Sequence, residues 1–252
     1  LLRKNKCVLF LNTLNGHEIS KATNGATLFR GNTMASKCTD QFMKITGLPY
    51  LHATLKAEID AVFLAKKDCE IDPTKITGKK PEVEAKVARS VAYLTGVLSR
   101  IFENIFQSVE SCPLVMRLVF KQLQESVRTN PLISGESPDV PYTAVSSFLF
   151  LRFFAPAVLA PKLFGLRQEL ADAKTARTLA LLAKAIMAVG NLGATLVKTA
   201  EQPLAPLHPI IRESLPQVRA FIDNVCGVTT AAGQELHERA GDASAVLASG
   251  PV

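Results

Sequence analysis

The residues Phe148-Leu149-Phe150-Leu151-Arg152-Phe153-Phe154-Ala155-Pro156-Ala157-Val158-Leu159-Ala160-Pro161-Lys162-Leu163-Phe164 form a strongly apolar stretch with one arginine set among phenylalanines. A guanidinium keeps its proton, so burying it is unfavourable unless oxygen atoms surround it. A chain that places Arg152 there has to supply acceptors, and the rigid fork of the side chain suits it to holding something in place. Pro156 and Pro161 most simply end a helix and start a turn.

Outward from this stretch, apolar residues recur at helical spacing nearly everywhere. Val83, Val87, Val91, Leu94, Leu98, Ile101 and Ile105 predict one helix of more than twenty residues. Met34, Cys38, Phe42 and Ile45 mark a second stripe, and Leu51, Leu55, Ile59, Val62 and Phe63 a third. Ser111-Cys112-Pro113 reads as the cap and first turn of a helix with Leu114, Leu118, Leu123 and Val127 on one face. Further helices are expected around 141–154, 173–190 and 207–226. The first ~25 residues are expected to make one helix leading into a loop at Arg30, weakened or broken at Asn15-Gly16. No strand with period two stands out, so the fold class is all-α. The connections near 66–82, 129–141 and 199–206 are polar and rich in Pro or Gly, and residues 227–252 read as a frayed helix or a disordered tail.

Of the 252 residues 48% are hydrophobic, enough for a sizeable core, and the net charge is +7. That mild basic bias is compatible with an acidic protein, nucleic acid or an anionic membrane surface, and does not choose among them. Five scattered cysteines, never spaced as CxxC, argue against a disulfide framework or a zinc site and for a reducing, cytoplasmic compartment. The opening LLRKNKCVLFLNTL lacks the features of a signal peptide, and with no initial Met the chain reads as a piece of something longer. Residues 146–166 and 177–197 are apolar enough to suggest membrane spans, but Arg152, Pro156 and Lys184 interrupt them. A central cation costs about 2.5–3.5 kcal/mol on insertion, so buried helices of a bundle explain both better.

A second motif lies near the start: Ala26-Thr27-Leu28-Phe29-Arg30-Gly31-Asn32, preceded by Asn24-Gly25. Turn signals on both sides place Arg30 in a tight loop before the helix that begins near Met34. FLFLRFFAPAVLAPKLFGL resembles the signature block of Ras GTPase-activating (RasGAP) domains, and the Arg30 segment resembles the place where that family carries its arginine finger. The stretch GNTMASKCTDQFMKITGLPYLHATLK is similar to the RasGAP subgroup that also carries C2 and PH modules. Phe154-Ala155 departs from the apolar-Cys or apolar-Asn pair more usual before Pro156. The resemblance implies a helical bundle over residues 1–226, with a catalytic core at about 24–205. It also implies a groove for a GTPase and a partial accessory helical subdomain built from both ends.

The resemblance also assigns roles. Arg30 is the finger, supplied in trans to a Ras-family GTPase in its GTP-bound form, and Arg152 holds the main chain of the finger loop. Leu151 offers apolar contact to the GTPase. Arg177, Lys184 and Asn191 recur every seven residues along RTLALLAKAIMAVGN, two helical turns apart on one face. That stripe resembles the segment lining the groove, with Lys184 facing acidic residues of the partner and Asn191 hydrogen-bonding nearby. Plainer readings stay open: a solvated loop arginine for Arg30, a core arginine for Arg152, a core leucine for Leu151. For Lys184 and Asn191 they are a buried lysine–carboxylate pair and a helix-capping asparagine. No phosphate loop, HExxH or Ser/His/Asp arrangement is found, so the chain reads as a GTPase activator without a nucleotide site, metal or cofactor of its own. It is expected to be a cytoplasmic monomer with no nucleic-acid partner. Contact with the inner face of the plasma membrane is expected only through domains outside this chain. Two alternatives are a RasGAP-fold scaffold that binds GTP-loaded GTPase without accelerating hydrolysis, and a basic helical module for lipid or nucleic acid. The second would cluster its cations and interleave aromatics; here the cations are spread and Trp is absent.

Overall fold

The long apolar run at residues 80–107 forms a single helix, buried along its second half, in a computed structural model that describes residues 6–133, 135–193 and 202–228. Among these residues every regular element is helical. The α-helices are α1 (Cys7–Ser20), α2 (Met34–Thr46), α3 (Leu48–Ala65), α4 (Lys80–Gln107), α5 (Leu114–Thr129), α6 (Val140–Phe148), α7 (Ala155–Leu159), α8 (Ala173–Gly190) and α9 (His208–Cys226). Helix α8 packs against α7, α3, α4 and α9, while α5 is flanked by α1, α6 and α9. The buried side chains of the terminal helices, such as Leu11 and Ile19 of α1 and Val218 and Phe221 of α9, belong to the same core as those of the middle of the chain.

Several local expectations are corrected. Asn15-Gly16 does not break α1, because Asn15 is buried and its Oδ1 accepts from Thr39 Oγ1 at 3.3 Å. The buried face of α2 is Ala35, Ser36, Thr39, Phe42 and Met43, whereas Met34 and Ile45 are exposed. In α5 the buried face is Met116, Val119, Phe120, Leu123, Gln124 and Val127, rotated away from Leu114 and Leu118, which are half-buried. Pro113, not Ser111, occupies the cap of α5, its carbonyl accepting from the amides of Met116 and Arg117.

The signature stretch differs most from expectation. Pro156 does not end the helix. Residues Val140 to Leu159 run as one rod in which Leu149–Phe154 adopt π-helical turns, and the Ala155 amide donates to Phe150 O, five residues back. The wider register comes just before the proline, so the missing N–H falls where the regular ladder is already interrupted. Along the rod Leu149, Phe150, Phe153 and Phe154 are buried, and the adjacent pair Leu151 and Arg152 is half-exposed. Phe150 and Phe154 meet edge-on with centroids 5.8 Å apart, and Tyr50 stacks on Phe153 at 6.1 Å. Pro161 opens a 3-10 turn, Pro161–Phe164, as expected of it.

The rod is the one described helical run long and apolar enough to cross a membrane on length and composition, and 67% of its most apolar window is buried within the protein. The apolar part of 177–197 is largely α8, with residues 194–197 outside the described set, as are residues 229–252 of the expected tail. Rod and α8 touch closely at Gly190, where a Cβ would lie 2.4 Å from Phe150 Cβ, and Ser146 Oγ donates to Gly190 O at 2.5 Å. Gly190→Ala is therefore expected to destabilise the fold by about 1–3 kcal/mol through overpacking. Thermal unfolding checks it, and an unchanged melting temperature would show that the two helices separate freely.

Candidate functional site

The loop carrying Arg30 is built so that one side chain points out and its neighbour points in. After α1, a 3-10 turn at Gly25–Thr27 leads to Phe29, whose φ of +57° is left-handed. An aromatic residue rarely adopts that conformation, which costs about 1–3 kcal/mol and persists only where the surroundings fix it. Here they do. The Phe29 ring is buried, 5.1 Å from the Phe148 ring. The chain reversal then leaves Arg30 exposed, with no hydrogen bond or ion pair on its side chain among the described residues. Only its amide is engaged, donating to Thr27 O at 3.1 Å.

Arg152 holds this arrangement from the rod. Its Nη2 donates to Phe29 O at 3.0 Å and to Gly31 O at 2.7 Å, the two carbonyls that flank Arg30. The acceptors demanded by the sequence are thus main-chain oxygens of the loop itself. Arg152 is half-buried, less enclosed than its apolar neighbours imply, and shares the outer side of the rod with Leu151. Ser36 Oγ adds a third donor, reaching Gly31 O at 2.8 Å, and Thr33 caps α2 by accepting from the Ser36 amide at 3.1 Å. The Thr33 hydroxyl in turn donates to Glu18 of α1. Sequence reasoning missed Ser36, Glu18 and the left-handed Phe29. A Thr three residues before a Ser at a helix start signals only the cap.

The remaining candidates lie on the rod and α8. Leu151 is half-exposed, with a methyl 3.4 Å from where a Gly190 Cβ would stand, so it borders the rod–α8 seam at the surface rather than filling the core. Lys184 is exposed, and among the described residues no carboxylate pairs with it. The buried-pair reading of this lysine is therefore not what the structure has. Asn191 follows the end of α8 as its cap, its amide donating to Met187 O at 2.9 Å, and its Oδ1 is buried without a donor among the described residues.

Arg177 is engaged within the protein: its Nε and Nη2 grip Glu70 at 2.9 and 2.8 Å, pinning the α3–α4 connection to α8. Burial alone would push the Glu70 carboxyl up, but Arg177 and the amides of Asp72 and Ile71 outweigh it and hold the group below the usual carboxylate range. No grouping of His, Cys, Asp and Glu able to hold a metal occurs among the described residues. Burial raises the thiols of Cys112 and Cys226 to about 12, which removes both as nucleophiles at neutral pH.

The site as a whole is a clamped loop presenting an exposed guanidinium, a bordering leucine and an exposed lysine on the neighbouring helix, neither cation with a carboxylate partner among the described residues. Comparison with known proteins gives this arrangement a family. Residues 10–191 match the RasGAP model, described as GTPase-activator protein for Ras-like GTPase. The chain is 45% identical over 248 residues to RasGAP-activating-like protein 1 of Mus musculus, covering 94% of this chain and 30% of that protein. It is 40% identical over 222 residues to Ras GTPase-activating protein 4 of Mus musculus, covering 84% of the chain and 28% of that protein. It is 40% identical over 192 residues to Ras GTPase-activating protein 3 of Rattus norvegicus, covering 76% and 22% respectively. The chain thus spans under a third of the length of these relatives. With most of its length matched by the family model, and the two motifs joined by hydrogen bonds across 121 and 123 residues, the chain belongs to the RasGAP family.

Proposed function

We propose that this chain stimulates GTP hydrolysis by a GTP-bound Ras-family GTPase, inserting Arg30 into the partner's nucleotide site. Charge develops on the γ-phosphate and the β–γ bridging oxygen as the bond breaks, and a Ras-type GTPase lacks an arginine to meet it. A guanidinium on a stiff loop meets that charge without reorganisation at the moment of reaction. The observation that carries the reading is the double hold of Arg152 on the carbonyls of Phe29 and Gly31, which fixes the backbone and leaves the Arg30 side chain free. Leu151 supplies apolar contact and Lys184 meets the partner's acidic surface. Asn191 donates or accepts near the end of α8. Arg177, engaged by Glu70, serves the groove by holding its frame. In this reading the chain holds no nucleotide and acts as a monomer, and its five free thiols suit the reducing cytoplasm. Any recruitment to the plasma membrane falls to other parts of the parent protein.

The test is single-turnover hydrolysis by a GTP-loaded Ras-type GTPase with and without the chain. Stimulation of about 10³–10⁵ is expected, a range that belongs to Ras and its activators generally rather than one read from this molecule. Binding without stimulation would favour the scaffold reading.

Lys184 gives a separate prediction. With a net charge of +7 on the chain, association is expected to slow as salt rises. Lys184→Glu is expected to weaken binding by about tenfold or more at low salt, and Lys184→Ala by less, because reversal adds repulsion to lost attraction. If both variants bind like the parent, Lys184 lies outside the interface.

A further inference from the structure

We infer that Glu136, in the connection between α5 and α6, is a positioning residue that fixes the near end of the Arg30 loop, upstream of the Phe29–Gly31 segment that Arg152 holds. The inference rests on the reading of Arg30 as the finger.

The 3-10 turn at Gly25–Thr27 begins with an amide that has no partner within its own turn. Glu136 Oε2 accepts from that Gly25 N–H at 2.8 Å, across 111 residues. A carboxylate on a backbone amide at the start of a helical turn is a charge-assisted bond, stronger than one between neutral groups. Gly25 has no left-handed φ to explain it. Close approach explains it instead: a Cβ there would lie 2.6 and 2.8 Å from the Val140 methyls and 3.1 Å from Glu136 Oε2. The glycine thus lets the turn sit directly on the start of α6.

The acceptor is itself held still. Asp139, three residues on, takes three bonds from Arg219 of α9 at 2.8 to 3.0 Å. Ile133 is buried, the Glu136 amide donates to Ile133 O, and Asn130 Nδ2 donates to Ile19 O at 2.7 Å, tying the same connection to the end of α1. Glu136 therefore grips Gly25 from a fixed base. Without it, the segment from Lys21 to Leu28 would keep its covalent ends but lose its registration, and Arg30 would swing about the Arg152 contact.

The test measures single-turnover hydrolysis across a range of chain concentrations, together with amide hydrogen exchange of residues 24–31 in the free chain. Glu136→Ala is expected to lower the maximal rate by about tenfold, leave the half-saturating concentration within about twofold, and speed exchange of the loop. Glu136→Gln keeps an oxygen that accepts from Gly25 and is expected to stay near the parent in all three. The inference is overturned if Glu136→Ala keeps the parental maximal rate, if the loss falls on half-saturation instead, or if Ala and Gln variants fail equally with equal loss of melting temperature. If the parent chain gives no stimulation at all, the finger reading fails by itself, and unaltered loop exchange in Glu136→Ala would then overturn the positioning role.

Discussion

Replacing Arg30 by alanine is expected to remove nearly all stimulated GTP hydrolysis, a loss of about 10³-fold or more, while affinity for the GTP-loaded GTPase stays within a few-fold. The split follows from where the interaction is made. The Arg30 side chain is exposed and has no partner among the described residues, so its removal is expected to leave the fold and the binding face intact. Its contribution, about 4 kcal/mol or more, arises only as charge builds on the phosphate. Arg30→Lys is expected to fail almost as badly, since a compact, strongly hydrated ammonium cannot reproduce the planar fork. Single-turnover rates with GTPase in excess and in deficit check both variants. Retained activity in either would remove Arg30 from the mechanism.

Arg152→Ala is the second large effect, and it differs in kind. The substitution strips the carbonyls of Phe29 and Gly31 of a charged donor and releases a phenylalanine held in a left-handed conformation. Activity is expected to fall by about 10²-fold or more, because the finger is still present but no longer aimed. Stability is expected to fall too, by about 1.5–3 kcal/mol for hydrogen bonds made by a charged group. A chain of this size loses about 2–4 °C of melting temperature per kcal/mol. Both bonds leave from one nitrogen, Nη2. An ammonium also carries several donors on one nitrogen, so Arg152→Lys is expected to keep part of the hold, unlike Arg30→Lys. Unchanged melting together with unchanged activity in Arg152→Ala would contradict the clamp.

What could be read in advance followed the strength of the physical signal. Strong apolar periodicity located α4, α8 and α9 closely, and a lone arginine in an apolar block correctly demanded oxygen acceptors. The identity of those acceptors, two carbonyls more than 120 residues away, is a property of packing that no local pattern records. The π turns at Leu149–Phe154 were hidden because Pro156 reads as a helix end unless the preceding register is known to slip. Arg177 illustrates the limit of face arguments: its spacing from Lys184 is helical, but Glu70, from a distant connection, takes its charge. Asn24-Gly25 read as a turn, but nothing in the sequence joined Gly25 to Glu136, whose carboxylate lies 2.8 Å from its amide across 111 residues.

The most direct test of Arg30 as a finger is the lifetime of the complex on a transition-state mimic. GDP with a metal fluoride on the partner GTPase presents a planar, anionic group where the γ-phosphate would be. A side chain that acts on developing charge gains most there. The parent chain is expected to dissociate far more slowly from the GDP–fluoride complex than from GDP alone, and Arg30→Ala to lose most of that difference. Equal dissociation rates for the parent chain and Arg30→Ala on the fluoride complex would contradict it, and would leave Arg30 a solvated loop residue on a GTPase-binding scaffold.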